Sequence, residues 1–599
     1  MEDQYIYEPL KGYKLRYKDL HAQYTSEYFD ELSKVANVDE VANKKLVTEI
    51  EKNNKTLDSL NKQIKRFRIF AGLGIFISVL GILAFGLTYY TGAEIMSETL
   101  IKVLRIIGIP IAILGLLLSI FMRIKRKTLQ PKYDELLKVN KGKIGEAWKQ
   151  LEPLHVLFRR GLNIALFEKT LPIIDLDDYY DSRRLDYMIR NFGYEPNKSE
   201  NTSALYVLSG QIEGNPFFFC RDLTMKMGTK TYSNSITITW TEQITVNGKT
   251  QTVVRSQVLT ASVTKPCPYY NKDTYLVYAN EAAPHLSFKR YDSDAEKMSE
   301  KQIDRYVDRK VKKLKRKARK KGSTFTVMGD AEFDVLWGAT DRDHEVEFRL
   351  LFTPLAKKQL LDLMKDKEIA YGDNFNFFKK KMINTVYPEH LQNLDFSGDP
   401  INYKHYSYEK TKEGFMAYNA EYFKKMYFAF APVLSIPLYQ HQQPREFIYK
   451  TEYESNLSFY EHESMVNALN DPLLNHPLSN TPNILKTKML RKGVNEDIVQ
   501  VTSSGFQTFE RVEHVRKMGG DGRMHTIAVY WTEYEPVSKV CQVDLKIAEE
   551  TNTCKKETAG DKLKNWILDI KSGITTENIK NRLKGFEARI KEIAEYQDN

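Results

Sequence analysis

The residues of strongest chemical character in this chain are cations. Residues 309–321, RKVKKLKRKARKK, carry ten of them and no acid: Arg309, Lys310, Lys312, Lys313, Lys315, Arg316, Lys317, Arg319, Lys320 and Lys321. The net charge is +11, from 89 Lys and Arg against 78 Asp and Glu, and it falls to about +1 once these ten are set aside. The basic balance is therefore one segment and not a generally nucleic-acid-binding surface. Ile303, Val307, Val311, Leu314 and Ala318 recur through it at helical spacing, so residues 299–322 read as a cationic amphipathic helix. Three settings fit such a helix: a solvated linker, nucleic-acid phosphate, and anionic lipid headgroups, worth about 1 kcal/mol per Lys or Arg near the surface. In a chain that also reaches a membrane, lipid is the economical partner and nucleic acid is not the expected one.

Other chemistry-bearing groups fall short of a site. Asp341, Asp343, His344, Glu345 and Glu347 crowd into one stretch of metal-ligand types. No loop glycine or spacing there matches a cation loop, and a polar turn explains them. His462-Glu463 lacks the second histidine of a zincin helix, and Gly248-Lys249-Thr250 lacks the earlier glycine of a phosphate loop. GLGIFI, at 72–77, lies in an apolar run, not after a strand, and no GxSxG occurs. Cys220, Cys267, Cys541 and Cys554 form no CxxC pair, and four cysteines in 599 residues suit a reducing compartment. No catalytic residue, metal or cofactor is expected. An enzyme reading has no anchor.

What must position the cations begins with two apolar runs. Ile69 to Ala93 holds 25 uncharged residues and Ile106 to Met122 holds 17. About 20 apolar residues cross the hydrocarbon core. These predict a transmembrane hairpin over 67–123, with spans near 69–90 and 103–122, the second lengthened if Lys102 and Arg105 snorkel. Lys62, Lys65, Arg66 and Arg68 precede the first span, while Arg123, Lys125, Arg126 and Lys127 follow the second. By the positive-inside rule both termini face the cytoplasm of a multi-pass plasma-membrane protein. MEDQYIYEPLKGYK, at the start, is polar and acidic, and no secretory signal peptide is expected. Gly74 and Ser78, Gly108 and Ala112, and Gly115 and Ser119 repeat at a spacing that lets helix backbones touch, within the hairpin or in a homo-oligomer. No ionisable residue lies inside either span, which argues against an ion or proton path.

Flanking the hairpin, Leu46, Ile50, Asn53, Leu57, Leu60, Ile64 and Phe67 follow a 4-3 spacing within a helical segment over 1–66. Leu129, Tyr133, Leu136, Asn140, Ile144, Trp148 and Leu151 form a similar stripe within a stalk helix over 124–165. The two either pair as an antiparallel stalk with an Asn in each seam or pack on the soluble region. Beyond them the period changes to alternation. A first β-rich unit covers 166–298, with Asn247-Gly248 as a hairpin turn. An α+β unit covers 323–436, with LWGATDRDHEVEFRLLF and residues 415–440 as strands and a helix starting at Thr353-Pro354. A second β-rich unit covers 437–555. Residues 556–599 read as a terminal amphipathic helix through Ile579, Leu583, Phe586, Ile590 and Ile593.

Residues 214–242 and 505–533 align without gaps at nine positions, ending in Trp240-Thr241-Glu242 and Trp531-Thr532-Glu533. The match reads as an internal duplication of a strand–turn–strand unit, with both tryptophans as core aromatics. The fold class is thus α+β: a two-helix transmembrane hairpin with a helical stalk, then a soluble mixed domain with duplicated antiparallel β-rich units.

LSGQIEGNPFFFCRDL (208–223) and FDVLWGATDRDHEVEFRLLFTPLAKKQLLDLM (333–364) resemble a family of uncharacterised bacterial membrane proteins, a domain of unknown function. The likeness covers roughly residues 65–390 and implies an N-terminal two-helix hairpin followed by a cytoplasmic α+β domain. It brings no activity. The expected function is that of a membrane-anchored cytoplasmic binding or scaffolding protein that docks a protein partner and touches anionic lipid. A membrane-anchored enzyme without a recognisable motif and an accessory subunit of a transport complex stay open beside it.

Overall fold

The computed structural model describes residues 6–90, 98–177, 180, 182–246, 249–319, 325–396, 398–441, 458–469, 472–493, 496–547, 560, 563–564 and 586–597. Its helices in chain order are α1 (Pro9–Gly12), α2 (Lys18–Ala36), α3 (Glu40–Tyr90), α4 (Glu98–Leu157), α5 (Leu162–Thr170) and α6 (Ser182–Phe192). Then come α7 (Glu300–Ala318), α8 (Ala331–Trp337), α9 (Glu345–Leu351), α10 (Pro354–Lys365), α11 (Tyr408–Leu434) and α12 (Phe459–Leu469). The strands are β1 (Ile174–Leu176), β2 (Thr202–Ile212), β3 (Asn215–Val246), β4 (Lys249–Ala279), β5 (Ser287–Arg290) and β6 (Phe375–Lys380). The last five are β7 (Ile383–Pro388), β8 (Ile484–Lys492), β9 (Glu496–Met518), β10 (Met524–Ile547) and β11 (Phe586–Gln597). The mixed α and β content and antiparallel pairing agree with the expected class. The chain divides into two compact units, one of residues 26–159 with 399–418 and one of the remainder.

The first unit is built on α3 and α4. Each contains an 18-residue window, of mean hydropathy 2.4 and 2.3, and each is long and apolar enough to cross a membrane. Only 22% and 17% of those windows is buried, whereas the core helix of a soluble protein buries most of its apolar surface. Ile69, Phe76, Ile106 and Leu114 all point outward. The inward line is made of small residues. A Cβ on Gly115 would fall 2.6 Å from the Gly74 carbonyl oxygen, and one on Gly81 would fall 2.6 Å from the Ala112 nitrogen. The backbones touch, as the small-residue spacing requires. The same antiparallel register continues outside the apolar windows: Asn140 Nδ2 donates to Asn54 Oδ1 at 2.7 Å, and Lys143 pairs with Glu49 at 2.6 Å. Asn140 is therefore a seam residue, but its partner is Asn54 and not Asn53. No break separates stalk from apolar segment, so both helices run continuously.

The second unit holds two antiparallel sheets. The larger has the order β1-β2-β3-β4-β7-β6-β5 and the smaller β11-β10-β9-β8. Strand β2 pairs with β3 only as far as Thr202 opposite Thr224, while β3 and β4 stay paired out to Val246 and Lys249. They leave the sheet as a two-stranded ribbon roughly 70 Å long at about 3.3 Å per residue. Its turn, Asn247-Gly248, lies outside the described residues. Part of the ribbon is covered by the β9–β10 hairpin, where Ile238, Leu259, Ala261 and Val263 meet Ile527 and Val529. The main core lies between the larger sheet and helices α5, α8–α10 and the later part of α11.

Four expectations are corrected here. Residues 415–440 are not strands: Phe415, Tyr422, Phe423, Met426 and Phe430 are buried at helical spacing on α11, and 437–440 form a 3-10 turn. LWGATDRDHEVEFRLLF is not a strand but the end of α8, a turn and α9. Asp330 caps α8 by accepting from Phe333 N, and Gly338 at φ +72° ends it. Residues 586–597 are not helical; they pair with β10 as an edge strand. An apolar stripe alone does not decide against a sheet edge whose backbone groups need partners. Ile579 and Leu583 lie outside the described residues. Finally, the matching segments differ in backbone. After Gly214, in the turn that precedes it, the first segment runs to 242 along the single strand β3 with Gly228 opposite Cys267, whereas 505–533 turn at 519–523 between β9 and β10. Only the second has the turn chemistry, with Gly522 at φ +75° and Asp521 Oδ1 accepting from Arg523 N at 3.1 Å.

Candidate functional site

Helix α7 forms where the cationic run predicts one. Ser299 precedes it, and its backbone N donates to Gln302 Oε1 at 2.8 Å, one half of a capping box. Glu300 in the first turn and Lys315, Arg316 and Lys317 in the last suit the helix dipole. Ile303 is 4% exposed in the main core, and Tyr306 and Val307 pack beside it, so the apolar stripe docks the helix onto the fold. Two of the cations, though exposed like the rest, make contacts of their own. Lys317 Nζ donates to the Thr340 carbonyl at 2.6 Å, and Lys310 leans over the Tyr306 ring at 5.1 Å. Lys320 and Lys321 lie outside the described residues.

The other six, Arg309, Lys312, Lys313, Lys315, Arg316 and Arg319, are exposed. Among the described residues none of them has a carboxylate within 4.0 Å. Arg305, not part of the run, joins them: it is exposed and one helical turn before Arg309, whose Nε donates to its carbonyl oxygen at 3.2 Å. The signal that would have found it was the four-residue spacing to Arg309.

The second set of expected cations lies on α3 and α4. Lys62, Lys65, Arg66, Arg68, Arg123, Lys125, Arg126 and Lys127 are all exposed. The helix register that sets Gly74 against Ser119 brings Arg68 level with the start of the second cluster. Both clusters therefore occupy one end of the apolar pair. Lys102 and Arg105 belong to side chains outside the described set.

No family model, curated protein or solved structure matches this chain.

The other polar groups singled out from the sequence are taken up by the fold where they are described. Asp341 and Asp343 accept from the backbone N of Lys289 and Ser287, Glu347 accepts from those of His285 and Leu286, and Glu345 holds Arg342. The acidic stretch is thus a clamp on β5. Glu347 is held below the usual carboxylate range by its His285 bonds, which outweigh the opposing effect of burial. His462 Nε2 lies 3.1 Å from Asp497, while Glu463 accepts from Ala204 N and pairs with Lys486 at 2.5 Å. Burial nevertheless raises the Glu463 carboxyl above its ordinary value and lowers the His462 imidazole. These contacts tie α12 to β2, β8 and β9. Cys220, Cys267 and Cys541 are buried and unpaired with one another. No group of three metal-ligand side chains assembles among the described residues.

Proposed function

We propose that this chain is an integral membrane protein, held in the plasma membrane by α3 and α4 as a hairpin with both termini cytoplasmic. Its soluble unit acts as a binding or scaffolding module that docks a protein partner and touches anionic lipid through α7. The observation that carries this reading is the division of surface on α3 and α4: outward apolar side chains over a membrane-spanning length, closed at one end by eight exposed cations. Such a belt is held on the cytoplasmic side. A second set of unpaired cations on a rigidly docked helix supplies the lipid contact. The resemblance to an uncharacterised bacterial membrane family points the same way.

The test uses the full chain in nanodiscs. With a neutral bilayer, α7 is expected to remain open to a soluble lysine-acylating reagent. With anionic lipid, Lys312, Lys313 and Lys315 are expected to become protected, and salt is expected to reverse the protection. Equal labelling in both bilayers would remove the lipid contact, and labelling of the same lysines from outside intact cells would remove the topology.

A further inference from the structure

The outward face of α7 is not a general scatter of charge. Arg305, Arg309, Lys312, Arg316 and Arg319 follow each other at intervals of four, three, four and three residues, one straight line along the helix. At 1.5 Å per residue the line is about 21 Å long, with a cation roughly every 5 Å. Four of the five are arginines. The helix's other lysines lie off the line, at 310, 313, 315 and 317, and are exposed as well. Asp304 and Asp308 are the acids of this helix nearest the line, and neither is within 4.0 Å of a cation among the described residues. Five like charges so close repel one another; Asp308, three residues after Arg305 and four before Lys312, offsets them only in part, and an anion that spans neighbouring positions relieves that repulsion.

The choice of arginine narrows the anion. A guanidinium offers two parallel N–H donors that match two oxygens of one phosphate, whereas an ammonium acts as a point charge. A phosphomonoester carries close to two charges near neutral pH and three acceptor oxygens, which suits adjacent forks better than a singly charged diester. The docking side narrows the mode. Ile303, Tyr306 and Val307 are committed to the core, and Lys317 is tied to Thr340. The helix's other apolar residues, Val311, Leu314 and Ala318, are half-buried and lie on the side away from the line. Resting on the lipid contact proposed above, we infer that the Arg305–Arg319 line is a phosphate-selective headgroup site. It lies flat on phospholipids bearing a phosphomonoester, such as phosphatidic acid, without inserting.

The test again uses the full chain, in bilayers holding phosphatidic acid and phosphatidylglycerol at equal contributed charge. p-Benzoylphenylalanine at Lys313 captures the neighbouring lipid, and mass spectrometry identifies it. Phosphatidic acid adducts are expected to exceed phosphatidylglycerol adducts by about five-fold, the equivalent of one further cationic contact. The variant R305K/R309K/R316K/R319K keeps charge and helix propensity, and its ratio is expected to fall to about one with total lipid adducts retained. A ratio of one in the unsubstituted chain overturns the inference and leaves the lipid contact standing. Absence of any lipid adduct overturns both. Loss of adducts on adding inorganic phosphate assigns the site to a free phosphate, and loss on adding duplex RNA at equal phosphate assigns it to nucleic acid; either result overturns the headgroup assignment.

Discussion

Lys379 offers the sharpest test of how the main core is assembled. It lies on β6 between Asn384 of β7 and Phe288 of β5, and its side chain follows Phe375 and Phe377 into the interior. It is 2% exposed. Its ammonium donates to the Ala282 carbonyl at 3.0 Å and lies 5.6 Å from the Tyr439 ring centre. Among the described residues no carboxylate comes within ion-pair distance. Burial lowers its pKa from 10.5 to about 7, against a smaller upward pull from the Glu347 charge. Between those two values the unfolded chain holds a proton that the folded chain has released. Folding stability therefore rises with pH across this window, by about 1.4 kcal/mol per pH unit. Below pH 7 both states are charged and the full burial penalty, about 5 kcal/mol, is present. Lys379→Met fills the same volume and cannot titrate. Urea unfolding in mild detergent, followed by fluorescence of the core including Trp337, should give two stability curves that converge or cross as pH rises. The difference between them should change by about 2 to 3 kcal/mol from pH 7 to pH 9. Parallel curves would show that Lys379 keeps its proton throughout, and the burial argument would fail.

Three further outcomes follow from other contacts. Gly115→Leu should cost about 1–3 kcal/mol by overpacking, because its Cβ would sit 2.6 Å from the Gly74 carbonyl. Gly72→Leu, with nothing within 4 Å of its Cβ, should stay within about 0.5 kcal/mol, and thermal unfolding of both variants in mild detergent measures the difference. Arg342→Met strands the buried Asp334, 2.8 Å away, and should cost about 3–5 kcal/mol in urea unfolding. Adding Asp334→Asn should recover part of that loss, and full additivity of the two costs would contradict the pairing. Gly522→Ala places a Cβ at φ +75° and should lower stability by about 1–2 kcal/mol, measured by the same denaturation.

Local signals were legible where one element satisfied them alone. Thr353 caps α10 through its hydroxyl oxygen, which accepts from Ala356 N at 3.3 Å, with Pro354 in the first turn. The small-residue spacing on α3 and α4 identified the touching faces, although Gly81 was missed because it follows Ser78 by three residues and not four. Signals that depend on distant partners misled. Alternation in HEVEFRLLF fits a strand and a short helix equally, and packing of Phe348 and Phe352 against Trp337 and Phe288 selects the helix. The aromatic residues of α11 have strand propensity, yet burial at helical spacing overrides it. Likewise β11 owes its form to β10, some forty residues earlier in the chain. For the candidate site, the number of cations was plain from composition. Which of them face outward was not, because that depends on the side by which α7 docks.

The case for α7 as a site rests finally on the alignment and the type of its cations. Some cations elsewhere in this fold have acids beside them. Arg184 pairs with Asp177 at 2.5 Å, Arg342 with Asp334 and Glu345, and Arg290 with Asp373 in the core. Exposed cations do the same, as with Lys265 and Glu513, Arg511 and Glu533, and Lys44 and Glu409. Exposed pairs of this kind contribute little stability, so their recurrence reflects where acids fall, and the chain has 78 of them. What sets α7 apart is alignment: five cations with no such neighbour among the described residues fall on one line, which helix formation does not require. Glutamate at 309 or 316 would serve the helix as well. Neither solubility nor docking requires arginine at four of the five positions. Bidentate contact with phosphate favours it, and that is why the charge-preserving replacement of those arginines, more than their removal, separates a site from a solvated face.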